Sequence, residues 1–204
     1  MTVVHQSPEF GKLRAFLWPI RGSEAKKFLP ISLMMFFSIF NYTVLRNTKD
    51  AFIMTQAGAE VLPFLKGGVV FPVALLFLAC YTKLANVVSR ERLYYVVVGV
   101  FLAFFAFFAL FLYPNRDLIQ MSPQRIADLK IRFNLFQHVI PIFGVWIYTA
   151  FYVFAELWGA VVLNLCFWQF ANEVTRTTEA KRFYSMCGFI GHLALIVAGY
   201  SIGV

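Results

Sequence analysis

The sequence predicts an all-α membrane protein, a bundle of about five transmembrane helices, and three observations carry that reading. The 204 residues are 60% hydrophobic and only 14% charged, whereas soluble domains are about 45–50% apolar and about 25% charged. The surplus is gathered into runs of the length needed to cross a hydrocarbon core of roughly 30 Å. The basic residues lie in the short segments between those runs, where membrane topology places them.

Residues 1–27 are polar and basic, with Lys12, Arg14, Arg21, Lys26 and Lys27. They lack the apolar core of a secretory signal and read as a cytoplasmic N-terminal segment. Within it, 10–20 has the pattern of a short interfacial piece with Trp18 at headgroup level. The apolar runs are 28–46, 61–82, 93–113, 139–171 and 186–204. A polar connector, NTKDAFIMTQAGAE, follows the first run, and the charged KLANVVSRER follows the second. The third run carries no ionisable side chain and is expected to face lipid around much of its circumference. In the connector 114–137, Ser122-Pro123 has the form of a helix cap and first helical residue, which predicts a surface helix on the membrane face.

The run 139–171 would measure about 50 Å as one helix, more than a perpendicular span requires. One long tilted helix competes with two segments broken near 156–159, and the lack of a turn-forming cluster favours the single helix. A polar connector, NEVTRTTEAKRFYS, leads to the last run. With the N-terminus inside, 11 Lys and Arg residues fall on the cytoplasmic side and six on the other, in keeping with the positive-inside rule.

Charged groups at membrane depth cost roughly 2.5–3.5 kcal/mol each, so those present call for a reason. Arg46 and Lys49 end the first run, with Asn41, Tyr42 and Asp50 around them at helical spacing. Two arrangements fit the spacing: a polar surface lining the bundle interior, or an Arg46–Asp50 pair at the membrane surface with Lys49 snorkelling to headgroups. Glu156 lies midway along the fourth run, and Tyr148, Tyr152, Gly159 and Asn164 fall near its face. That stripe fits a water-filled substrate path better than a purely structural ion pair. Lys66 either snorkels outward or joins the path, and Gly67 and Gly68 after it permit close packing.

Several function classes are excluded. Cys80, Cys166 and Cys187 fall inside apolar runs without metal-ligand spacing, so neither a metal, a cofactor nor a disulfide framework is expected. The net charge of +8 belongs to topology and not to a compact nucleic-acid-binding domain. No nucleophile elbow, Walker loop, HExxH or CxxC marks an enzyme. His5, His138 and His192 are scattered.

The segment FNYTVLRNTKD (40–50) resembles the end of the first helix in the bacterial and plastid ATP/ADP translocase family of nucleotide transporters. VFAELWGAVVLNLCFWQFANEVT (153–175) is similar to that family's fourth helix, and EAKRFY (179–184) also fits. The likeness extends over roughly 26–204, and KLANVVSRER resembles the basic loop of the major facilitator fold more weakly. The resemblance implies a major-facilitator-like bundle, here the N-terminal part of a carrier of two six-helix halves whose site lies between them. It implies ATP and ADP as transported substrates in a bacterial inner membrane, most simply by antiport. A proton-coupled nucleotide importer and a non-transporting membrane scaffold are the alternatives. It implies a phosphate contact for Lys49 and a cavity acid in Glu156. A nucleoside triphosphate carries about four negative charges needing cationic partners. The expected substrate-binding set is therefore Arg46, Lys49, Lys66, Tyr152, Glu156 and Asn164, with Tyr148, Tyr152 or Phe167 as base-stacking candidates. Family members read Arg-Asp-Thr-Lys-Asp where this chain has Asn47 in the second place, a departure that bears on which nucleotide is carried and how transport is coupled.

Overall fold

The computed structural model describes residues 20–203. The interfacial piece expected over 10–20 lies outside the described residues, Ile20 excepted. That residue is buried with Phe28, Phe183 and Cys187.

Eight helices, with a separate 3-10 turn at Asn134–Phe136, order the described chain: α1 (Gly22–Gln56), α2 (Ala59–Ala85), α3 (Arg90–Leu112), α4 (Arg116–Ile119), α5 (Pro123–Arg132), α6 (Ile140–Gly144), α7 (Trp146–Val174) and α8 (Thr177–Gly203). Five of them, α1, α2, α3, α7 and α8, are long and apolar enough to cross a bilayer. The chain is a multi-pass integral membrane protein. Its outer surface agrees: Leu75 and Leu76 on α2, Leu102 and Leu110 on α3, and Ile196 and Tyr200 on α8 are all exposed, an apolar coat that only lipid or further protein can cover.

Helix α1 runs well past the expected end of the first span, through the segment read as a polar connector. Its short polar residues do not break it because five of them fold back on the preceding turn. Asn41 donates to the carbonyl of Phe37, Thr43 to Ile39, Asn47 to Thr43, Thr48 to Val44 and Thr55 to Ala51. The helix stops at Gly58, whose φ of 95° suits a residue without a Cβ. In α2 the turn Lys66–Val70 is π-helical and ends just ahead of Pro72. Proline supplies no N–H and crowds the carbonyl four residues back, and a widened turn absorbs that conflict.

The fourth span begins at Trp146 and not at 139. Pro141 opens the separate short α6, and Val145 leaves helical geometry with φ −104° and ψ 42°. Ile126 of α5 presses on Gly144, where an added Cβ would lie 2.7 Å from its Cδ1. No break occurs at 156–159; the helix widens there into a π-helical stretch, Trp158–Phe167. Surface helix α5 has the predicted start, with Ser122 Oγ accepting from the Arg125 amide.

Helix α7 is the centre of the bundle: 61% of its apolar window is buried inside the protein, against 28% or less for the other four spans. Helix α3 packs on it through rings, Phe101 against Phe154 and Trp158, and Phe105 against Phe151 and Trp158. The first half of α1 packs on α8, with Phe28 edge-on to Phe183 and Ile39 seated over Gly191. Ion pairs Glu24–Arg182 and Lys27–Glu179 tie the starts of these two helices together.

Candidate functional site

The second half of α1 turns from α8 to α7, and one glycine makes that approach close. A Cβ on Gly159 would lie 2.4 Å from the Tyr42 ring, so only glycine admits Tyr42 at this depth. Beside it the Trp158 indole N–H donates to the Ser38 carbonyl at 3.5 Å. Two turns along α1 from Tyr42, the same approach brings Lys49 against Glu156.

Lys49 is 3% exposed. Its Nζ lies 2.8 Å from Asp50 Oδ1 and 2.9 Å from Glu156 Oε2, and 4.0 Å from the centroid of the Tyr152 ring. An ammonium has three donors and no acceptor, so two carboxylates and one aromatic face occupy all of them. Such partners offset the cost of burying the charge, which alone would be prohibitive. The arrangement joins α1 and α7 by electrostatics at a level where the neighbouring contacts are apolar.

The depth follows from α3. Phe101, midway along that helix, touches both Phe154 and Trp158, the residues that flank Glu156 on α7. The Glu156 side chain is nevertheless 37% exposed. An ionised carboxylate at mid-depth cannot rest against hydrocarbon; its open side therefore belongs to an aqueous cavity or to further protein. One cation between two acids leaves the cluster net negative. Arg46, one turn earlier, is exposed and makes no ion pair among the described residues. The surface pairing Arg46–Asp50 does not form, because Asp50 is taken by Lys49, and Lys49 does not snorkel, because it is buried.

The remaining candidates are spread more widely. Asn164 lies two turns further along α7, exposed, its amide spent on the Gly159 carbonyl at 2.8 Å. Lys66 is exposed on α2 and makes no ion pair with the Lys49 cluster. Tyr148 packs tilted against Phe52, with ring centroids 5.0 Å apart. Phe167 is fully buried in the cluster formed with Phe28 and Phe183, so it offers no ring to a base in this conformation. Tyr152 is also fully buried, and its hydroxyl makes no close hydrogen bond among the described residues. Sequence reasoning missed the seating of Tyr42 on Gly159. The signal was present, since Tyr42 and Gly159 stand near Lys49 and Glu156 on their helices, but spacing within one helix says nothing about approach between two.

A family model described as TLC ATP/ADP transporter matches residues 3–204. The chain is 45% identical over 203 residues to ADP,ATP carrier protein 1 of Rickettsia bellii, covering 100% of this chain and 41% of that protein. It is 46% identical over 206 residues to ADP,ATP carrier protein 1 of Chlamydia muridarum, covering 99% of this chain and 38% of that one. It is 43% identical over 190 residues to ADP,ATP carrier protein 3 of Rickettsia conorii, covering 93% of this chain and 38% of its relative. No solved structure matches. The chain thus spans about two fifths of the length of the curated relatives it matches. With a full-length family match and a membrane-buried lysine–carboxylate cluster in place, the chain belongs to the TLC ATP/ADP transporter family.

Proposed function

We propose that this chain is the N-terminal part of a bacterial cell-membrane carrier that exchanges ATP for ADP, with Lys49 and Glu156 on the substrate path. The observation that carries the reading is Lys49 itself, a buried ammonium held at mid-membrane by an acid whose other side is open. The names of the relatives, ADP,ATP carrier proteins, supply the substrate class. The excess of Lys and Arg in 1–27 and in the two connectors on that side supports a cytoplasmic N-terminus.

In this reading the empty site keeps Lys49 neutralised by Glu156 and Asp50. An entering phosphate competes for the ammonium, Glu156 swings to its open side, and Arg46 adds a second cation from the same face of α1. Phosphate offers the ammonium the same charge-assisted kind of contact as the carboxylate, and its greater negative charge favours the exchange. Release of the substrate restores the Lys49–Glu156 pair, so the lysine of the empty carrier is again held by its acids between turnovers. Of the remaining candidates, Tyr152 lies directly against Lys49, and the second half of the site comes from the part of the carrier beyond this chain.

The test is labelled-nucleotide uptake and counter-exchange by cells expressing the full-length protein and its Glu156→Gln variant, at several pH values. ATP uptake accelerated by internal ADP supports exchange. Half-exposed Glu156 also suits a coupling proton, and uptake abolished by an uncoupler would favour that second reading. An unchanged rate with an unchanged pH profile in Glu156→Gln would remove Glu156 from both.

A further inference from the structure

A second polar cavity lies on the far side of the bundle from the start of α1, and the mechanism above makes no use of it. It encloses 490 Å³ among the end of α1, the connector that carries α4 and α5, and the start of α7. Gln56, Arg116, Asp117, Gln120, Ser122 and Tyr148 line it. The volume lies in the range of small-molecule sites. Its wall is pinned in place: the Met121 amide donates to the Gly144 carbonyl at 3.2 Å, and the Trp146 indole to the Ile119 carbonyl at 3.4 Å.

Two groups in this cavity look for a partner. Gln120 lines the cavity, and its Nε2 is buried without an acceptor among the described residues, a cost that a bound acceptor would remove once the side chain rotates toward it. Arg116 lies over the Tyr113 ring, 4.6 Å from its centroid, and spends Nη1 on the Tyr113 carbonyl at 3.0 Å. Its counter-charge is loose: Asp117 stands 3.8 Å from Nη2 and its side chain is 85% exposed. A guanidinium fixed on an aromatic platform with an easily displaced acid suits a phosphate.

The cavity also lies in line with the Lys49 cluster. Gln56 is seven residues beyond Lys49 on α1, about 10 Å along the axis, and Tyr148 is one turn from Tyr152 on α7. Between the two levels stands an aromatic layer in which Phe52 contacts Tyr113, Tyr148 and Phe151. We propose that this cavity is an entry subsite that takes the phosphate end of a nucleoside di- or triphosphate before it passes the Phe52–Tyr148 layer to Lys49. The proposal rests on the nucleotide-carrier reading above.

The experiment is ATP uptake by cells expressing the full-length protein, with wild type, Arg116→Gln, Gln120→Leu and Arg125→Gln compared at equal membrane abundance. Arg125 is an exposed arginine of the same connector that does not line the cavity, and it controls for general surface charge. An entry subsite predicts half-saturating ATP raised about five- to tenfold in Arg116→Gln and in Gln120→Leu, and unchanged in Arg125→Gln, with maximal rates within about twofold; a tenfold rise corresponds to about 1.4 kcal/mol. Equal effects of all three variants, or no effect of the two cavity variants, overturn the subsite. If Arg116→Gln does not reach the membrane, Gln120→Leu and Gln56→Leu decide the matter by the same criterion. Absence of uptake by the wild type itself refutes the carrier reading instead.

Discussion

Removing both acids from Lys49 should cost far more than removing either, and removing the lysine as well should restore most of the loss. In Glu156→Gln the ammonium keeps Asp50 at 2.8 Å and the Tyr152 face, and the amide oxygen can still accept from it, so the loss is the charge-assisted part of one hydrogen bond, about 1 kcal/mol. Asp50→Asn is the mirror case with Glu156 retained at 2.9 Å. In the double variant a 3%-exposed ammonium has no counter-charge, the situation that costs about 3–5 kcal/mol. The expected coupling between the two sites is therefore about 1–3 kcal/mol beyond additivity. Adding Lys49→Met removes the stranded charge while keeping an unbranched apolar chain in its place, and the triple variant should lie within about 1–2 kcal/mol of wild type. Apparent melting of the purified full-length protein in detergent reads these differences, at roughly 1 °C per kcal/mol for a carrier about two and a half times as long as this chain. Single variants should fall by about one degree, the double by roughly 3–5 °C, and the triple should recover most of that gap. An additive double, or a triple no better than the double, would refute the assignment of Lys49 as a buried charge dependent on these two acids.

The same melting assay checks three further expectations. Tyr152→Phe should stay within about 0.5 kcal/mol of wild type, because the hydroxyl makes no close hydrogen bond, whereas Tyr152→Leu forfeits the ring beneath Lys49 and should lose about 0.5–2 kcal/mol. Gly159→Val should be destabilising by about 1–3 kcal/mol through overpacking against Tyr42, and Tyr42→Ala in the same protein should relieve part of it. Arg182→Glu should lower the melting point by setting two acids together near Glu24, and adding Glu24→Arg should restore it, since the Glu24 and Arg182 side chains are only 11% and 23% exposed and meet at 2.8 Å.

The helical membrane fold was legible because length, apolar content and charge placement all act locally. The boundaries were less so. Residues 47–56 read as a connector from their polarity, yet Asn47, Thr48 and Thr55 spend that polarity on their own helix, a satisfaction invisible to a hydropathy window. The start of α7 was hidden for the opposite reason: 139–145 is as apolar as the span it precedes, and only Pro141 and the pressure of Ile126 on Gly144 separate the two. At the site, Lys49 and Glu156 stood out because each is costly alone in lipid. That they pair, and that Asp50 serves Lys49 and not Arg46, depends on the distance between α1 and α7, which Gly159 sets from the other helix. The cavity by Gln120 lay beyond sequence reasoning altogether, since its walls come from three separate segments.

The central claim, that Lys49 binds nucleotide phosphate on the transport path, is tested most directly by labelled ATP uptake in cells expressing the full-length carrier with Lys49→Gln. Lys27→Gln, which breaks the ion pair with Glu179 at the start of α1, serves as the matched control. The account predicts that Lys49→Gln lowers uptake at subsaturating ATP by at least about tenfold, the loss of one charge-assisted contact, while Lys27→Gln retains transport. Wild-type uptake and wild-type half-saturation in Lys49→Gln would contradict it.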